Sequence, residues 1–276
     1  MRQARFDARG SLIRWTESAG EGPTRVYVHG LGAASTVYHA HIAAHPLLAG
    51  RRSLFVDLPG HGTSDRPADF GYTLEDHADA LAAALDEAGP GTDPGVGVVG
   101  DGAEIVAHSM GGAVAIVLAH RRPELVSRLV LVEADLDPHP PVTAGSSGIA
   151  DLPEEEFVHG DGFARVLQRI GPTWAATMRL ADPLALHRSA TSLVRGTSPT
   201  MRRMLMDCPV PRTYLQGGLS GELSGEDALV AAGVQVVTVP DAGHNVMFDA
   251  PEAFVRAVAT ARPGRHGAGV ARALRF

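Results

Sequence analysis

Short apolar runs punctuate this chain, and longer stretches of helical period lie between them. The runs are Arg25 to His29, Ser53 to Asp57, Glu104 to His108, Arg128 to Glu133, Arg212 to Gln216 and Val234 to Val239. The interiors of the first four show no polar alternation, which is the pattern of strands covered on both faces. Thr36 to Leu48, Leu74 to Ala88, Gly111 to Arg121 and Pro251 to Ala261 read as helices between or after them. Such alternation predicts an α/β fold, with a mostly parallel sheet covered by helices on both faces. Ahead of it, Phe6, Leu12, Ile13 and Trp15 flank the turn Ala8-Arg9-Gly10, which predicts a β-hairpin.

One interval breaks the rhythm. From Asp135 to Cys208 no convincing strand occurs, and the span is far too long for a loop. Pro153 to Ile170, Pro172 to Leu180, Pro183 to Val194 and Pro199 to Met206 each begin at a proline, the residue best tolerated in a helix's first turn. The expected organisation is therefore a core of residues 1–134 and 209–276, interrupted by a helical cap over 135–208. Gly89 to Gly102 reads as a Gly/Pro-rich linker, and Arg262 to Phe276 as a partly disordered Arg-rich tail.

Composition narrows the chemistry. The 276 residues are 45% hydrophobic and 20% charged, ordinary for a globular protein, and 32 Gly with 19 Pro give a chain that turns often. A net charge of -7 offers no footprint for nucleic acid or an anionic membrane. All 24 basic residues are Arg. The absence of Lys excludes Schiff-base formation, pyridoxal phosphate anchoring, Ser-Lys catalysis and a Walker A site. The single Cys208 cannot form an intramolecular disulfide, and neither an N-terminal apolar segment nor an 18-residue apolar run occurs. A cytoplasmic protein that neither spans a membrane nor enters an export route is the expectation.

The sharpest local signal is Glu104-Ile-Val-Ala-His-Ser109-Met-Gly-Gly-Ala-Val, a strand running into an apolar helix with Ser109 at the corner. A nucleophile on such a turn needs small residues two positions to either side, and Ala107 and Gly111 supply them. The same pattern also suits a helix N-cap serine.

Four motifs in order, Val28-His-Gly-Leu-Gly32, Asp57-Leu-Pro-Gly-His-Gly-Thr-Ser64, Ala107-His-Ser-Met-Gly-Gly112 and Gly243-His-Asn245, resemble those of the α/β-hydrolase superfamily. The resemblance covers nearly all of the chain outside the cap and tail. It implies Ser109 as nucleophile, His244 as general base, and the backbone NH groups of Leu31 and Met110 as the oxyanion hole. Gly30 and Gly32 would let the first loop approach substrate, with His29 shaping that loop.

At the acid position the chain departs from the commonest pattern. Gly217-Gly-Leu-Ser220 places serine where such enzymes usually carry Asp. Some relatives carry the acid one strand earlier, which points to Glu133, at the end of Leu129-Val-Leu-Val, with Asp135 and Glu222 as alternatives. The implied activity is a cofactor-independent serine hydrolase acting on a small-molecule carboxylic ester, thioester or lactone through an acyl-enzyme. Acyl transfer, carbon-carbon bond hydrolysis and non-catalytic binding on the same fold are the rivals.

Other patterns carry less. Gly95-Val-Gly97-Val-Val-Gly100 formally matches a dinucleotide fingerprint but precedes a strand instead of opening a helix. His39, His41 and His45 lack a carboxylate partner for a metal, and Cys208 reads as a packed thiol. Glu154-Glu-Glu156 suits the first turn of a helix. Phe157, Phe163, Trp174 and Met178 suit either the cap's own core or an apolar pocket.

Overall fold

The computed structural model describes residues 1–89, 102–138 and 148–260. Eight strands form one sheet in the order β1-β2-β4-β3-β5-β6-β7-β8. β1 (Arg2–Arg5) and β2 (Leu12–Ser18) are the antiparallel hairpin, and β2 runs antiparallel to β4 (Arg51–Asp57). β3 (Glu21–Val28), β4, β5 (Ala103–His108), β6 (Val126–Val132), β7 (Arg212–Gly217) and β8 (Gln235–Val239) are all parallel.

Side chains alternate across this sheet, so each strand feeds two cores. Val26, Val28, Ile105, Ala107, Leu129 and Leu131 face one core, shared with α2 (Leu74–Ala88) and α3 (Met110–Arg121). Tyr27, Phe55, Val106, Val130, Val132 and Leu215 face the other, closed by α1 (Ser35–Ala43) and, at the C-terminus of the described chain, by a helix over Pro251–Thr260. At the N-terminal edge of the parallel strands, Arg25, Glu104 and Arg128 are paired across the register. Glu104 accepts from Arg25 Nε at 2.5 Å and from Arg128 Nη1 at 2.8 Å, so the buried carboxylate is paired by both arginines, far from the C-terminal ends of these strands.

Among the described residues, five α-helices lie between β6 and β7: α4 (Glu154–His159), α5 (Gly162–Arg169), α6 (Pro172–Met178), α7 (Pro183–Arg195) and α8 (Met201–Asp207). The single helix expected over Pro153 to Ile170 is broken in two. Gly160 and Gly162 bracket the break, and glycine gives up the most backbone freedom in a helix. Helix α1 stops at Ala43 instead of Leu48, since His45 precedes Pro46 and that position disfavours helical backbone. Helix α8 starts at Met201, where the Thr200 hydroxyl accepts the Arg203 NH. Two short helices had no visible period in the sequence: α9 (Glu226–Ala231) and α10 (Val246–Asp249). The helix over Pro251–Thr260 is α11.

The inserted helices are tied to the sheet through the loop after β4. Asp182 NH donates to Gly60 O at 2.8 Å, Arg66 reaches Leu180 O at 2.6 Å, and the Ser192 hydroxyl caps Leu74 NH at 3.0 Å. Phe157 is fully buried and meets Phe163 edge-on at 5.9 Å, so these two belong to the packing of the insertion. Glu154 opens α4 and pairs with Arg188 of α7 at 3.0 Å. The Gly95 to Gly100 pattern, most of the linker and the Arg-rich tail lie outside the described residues. Among the described residues, no helix is long and apolar enough to cross a membrane.

Candidate active site

The C-terminal ends of β5, β6 and β7 lie side by side, and the candidate residues sit just beyond them. Ser109 NH extends the ladder to Val132 O at 2.9 Å, and Glu133 NH extends it to Leu215 O at 3.0 Å. Both residues then leave the sheet with positive φ, 51° at Ser109 and 50° at Glu133. A non-glycine residue rarely adopts such backbone, and at a strand end it turns the side chain sharply out of the sheet. Ser109 makes no side-chain cap bond to α3, which argues against a plain N-cap serine.

The sharp turn at Ser109 depends on the glycines after it. A Cβ on Gly111 would stand 2.4 Å from His29 O and 2.9 Å from Val28 O, both backbone atoms of β3 and its loop. A Cβ on Gly112 would meet the Ala134 Cβ at 2.4 Å. Helix α3 can therefore start only at this depth because both positions lack a side chain.

Glu133 divides its carboxylate between two partners. Oε1 accepts from Gly217 NH at 2.5 Å, while Oε2 lies 3.4 Å from His244 Nδ1. The second contact is longer than an ordinary hydrogen bond. Glu133 is nearly buried, whereas the His244 ring is 45% exposed. His244 reaches this place because the loop before it crosses over β7. A Cβ on Gly217 would stand 2.4 Å from Gly243 O and 2.6 Å from Ala242 O, so only glycine admits that crossing. Asp249 of α10 holds the same loop by accepting from Gly243 NH at 2.9 Å. Of the three carboxylates considered from sequence, Glu133 is the one within reach of His244. Asp135 lies in the electrostatic surroundings of Tyr214, and Glu222 is exposed beyond β7.

His108 has a part that sequence reasoning missed. Its ring lies 4.8 Å from that of His244. Its Nε2 donates to His244 O at 2.9 Å, and its other side stacks on Tyr38 at 5.9 Å. Burial, with His244 alongside, holds His108 well below the ordinary histidine range, so it stays neutral while donating. The His-Ser pair within the motif was the one available signal.

The loop after β3 brings Leu31 toward Ser109. A Cβ on Gly30 would meet Ser109 Cβ and His108 Nδ1 at 3.1 Å, so the two turns are in close contact. His29 shapes this loop: its Nδ1 donates to Gly30 O at 2.7 Å, and its Nε2 accepts from Leu58 NH at 3.0 Å. The Gly30 carbonyl shares a peptide with the Leu31 NH, so the NH points away from His29. Neither Leu31 NH nor Met110 NH has an acceptor among the described residues. Asp57 fixes the neighbouring loop through Ser35 NH, Thr63 NH and the Thr63 hydroxyl, each at 3.0 Å.

The three histidines of this segment part company. In α1, His39 is buried against Tyr27 and His41 stacks on Phe248, while His45, beyond the end of the helix, faces Glu252 at 3.3 Å. Cys208 is buried at the end of α8, and burial raises its thiol above the ordinary range.

The sequence profile of the alpha/beta hydrolase family matches residues 26–257. The chain belongs to that family. It is similar to Esterase Rv0045c of Mycobacterium tuberculosis, 30% identical over 90% of this chain and 84% of the esterase. It also resembles the sn-1-specific diacylglycerol lipase ABHD11 of Mus musculus, 29% identical over 86% of this chain and 80% of the lipase. Among solved structures, a thermophilic esterase from Thermogutta terrifontis shares the α/β-hydrolase fold, with a TM-score of 0.71 at 21% identity, covering 93% of this chain and 96% of its own.

Proposed function

We propose that this α/β hydrolase is a serine hydrolase cleaving a carboxylic ester, thioester or lactone of a small molecule. One observation carries the proposal: Ser109, Glu133 and the His244 loop occupy three neighbouring strand ends, with Glu133 Oε2 facing His244 Nδ1. The esterase and lipase names of its relatives favour an ester.

Ser109 Oγ attacks the substrate carbonyl as His244 Nε2 takes its proton, and Glu133 steadies the imidazolium that forms. Leu31 NH and Met110 NH hold the developing oxyanion. The proton on His244 passes to the departing alcohol or thiol, leaving the acyl group on Ser109. Water then attacks the acyl-enzyme, giving up a proton to His244 and releasing the acid with Ser109 restored. No step calls for a cofactor or a metal. The helices α4 to α8 act as a cap over this site.

The test is labelling with a fluorophosphonate, together with turnover of a panel of acyl esters and thioesters of graded chain length. Wild type should be labelled and active, and Ser109→Ala should be folded, unlabelled and inactive. A folded Ser109→Ala protein with full turnover defeats the proposal.

A further inference from the structure

The loop that carries Leu31 is held from two sides. On the sheet side, His29 fixes the peptide bearing the Leu31 NH. On the other side the contact comes from the inserted helices: the indole Nε1–H of Trp174, in α6, donates to Leu31 O at 2.7 Å. The two carbonyls flank Leu31, so together they fix the peptide planes before and after its Cα.

The packing around Gly32 shows how closely α6 sits on this loop. Gly32 has φ +66°, and a Cβ there would stand 2.7 Å from Met178 Cε and 3.0 Å from Trp174 Nε1. Met178 is fully buried and Trp174 half-buried. The bond to Leu31 O is therefore a short, partly desolvated hydrogen bond between the insertion and the loop, where loss of the donor leaves a carbonyl without its partner.

We propose that Trp174 is a positioning residue: its indole NH sets the orientation of the Leu31 peptide, so that stabilisation of the oxyanion depends on α6 being seated. This rests on the serine hydrolase proposal above, in which Leu31 NH binds the oxyanion. Ground-state substrate makes no full charge at that oxygen, so the consequence falls on the transition state. The loss is smaller than the 10² to 10³ that follows removal of a donor outright, because the NH remains and only its aim is relaxed.

The experiment compares wild type with Trp174→Phe, which keeps an aromatic ring and loses the donor, and Trp174→His, which restores a ring N–H. Each is assayed for kcat and KM on one ester and for inhibition by an alkylboronic acid, whose tetrahedral adduct on serine mimics the oxyanion. Trp174→Phe should lose about tenfold in kcat with KM nearly unchanged, and boronate affinity should fall in parallel. Trp174→His should recover part of both. An unchanged kcat, a loss confined to KM, or a kcat loss without weaker boronate binding overturns the proposal. Ser109→Ala is run alongside. If that protein keeps turnover, the serine mechanism itself has failed, a result distinct from any of the Trp174 outcomes.

Discussion

Glu133 reaches His244 from the end of β6, one strand earlier than the turn after β7 where the sequence carries Ser220. The substitution Glu133→Gln should therefore keep the fold yet lower kcat by roughly 10³ to 10⁴, since a neutral amide neither fixes the tautomer of His244 nor steadies its charge. Asp135→Asn and Glu222→Gln should cost about tenfold or less. Steady-state kinetics on the three variants, with circular dichroism to check folding, decides among them. A crippled Asp135→Asn beside an active Glu133→Gln would reassign the acid.

Gly217→Ala tests the crossing that delivers His244. The added methyl meets two backbone carbonyls, which cannot rotate away, so the loop must move. The expected cost is about 1 to 3 kcal/mol of stability, typical of overpacking. Turnover of the folded protein should fall about a hundredfold, because a shift of about 1 Å in the base is enough for that loss. An unchanged kcat in a folded Gly217→Ala protein would speak against a positional effect.

His108→Phe keeps the stack on Tyr38 and removes the donor to His244 O. The carbonyl left without that bond should let the loop drift, lowering kcat about tenfold with the protein still folded. Unchanged kcat in a folded His108→Phe protein would reduce this contact to packing.

Five buried histidines make stability dependent on pH. Burial depresses His29, His39, His61, His77 and His108, with His39 and His77 lowered to about 3 and His61 and His108 well below their ordinary value. In the unfolded chain each takes up a proton near pH 6.5. Between pH 6.5 and the folded values the unfolded state binds more protons, so stability is full above about pH 6.5 and falls as pH drops. Each histidine contributes up to about 1.4 kcal/mol per pH unit over that window. Urea midpoints at pH 7.5, 6 and 5 should decline steeply, and a flat series would contradict neutral burial.

Much of this site could be read from the chain because its parts lie where apolar runs end. Ser109 and Glu133 each follow a run directly, and His244 sits between a strand and a helix-opening proline, so position along the sequence translates into position on one sheet edge. What escaped reading depends on contacts between distant segments. Nothing local to His108 announces that its ring meets a carbonyl 136 residues away, and nothing around Trp174 names Leu31 as its acceptor. The break at Gly160 and the four-residue helix α10 escaped for another reason: elements shorter than two turns leave too few positions to show a period.

Cys208, finally, offers a clock. It is the only thiol in the chain, and it is buried where α8 gives way to β7, a junction at which Arg212 donates to Leu205 O and Met206 O at 3.0 Å. A thiol reagent can reach it only after that junction opens. The rate at which a disulfide reagent consumes Cys208 thus times the detachment of the inserted helices from the sheet, with no substrate present and without reference to turnover. Ligands that settle those helices should slow the reaction in proportion to how tightly they hold them.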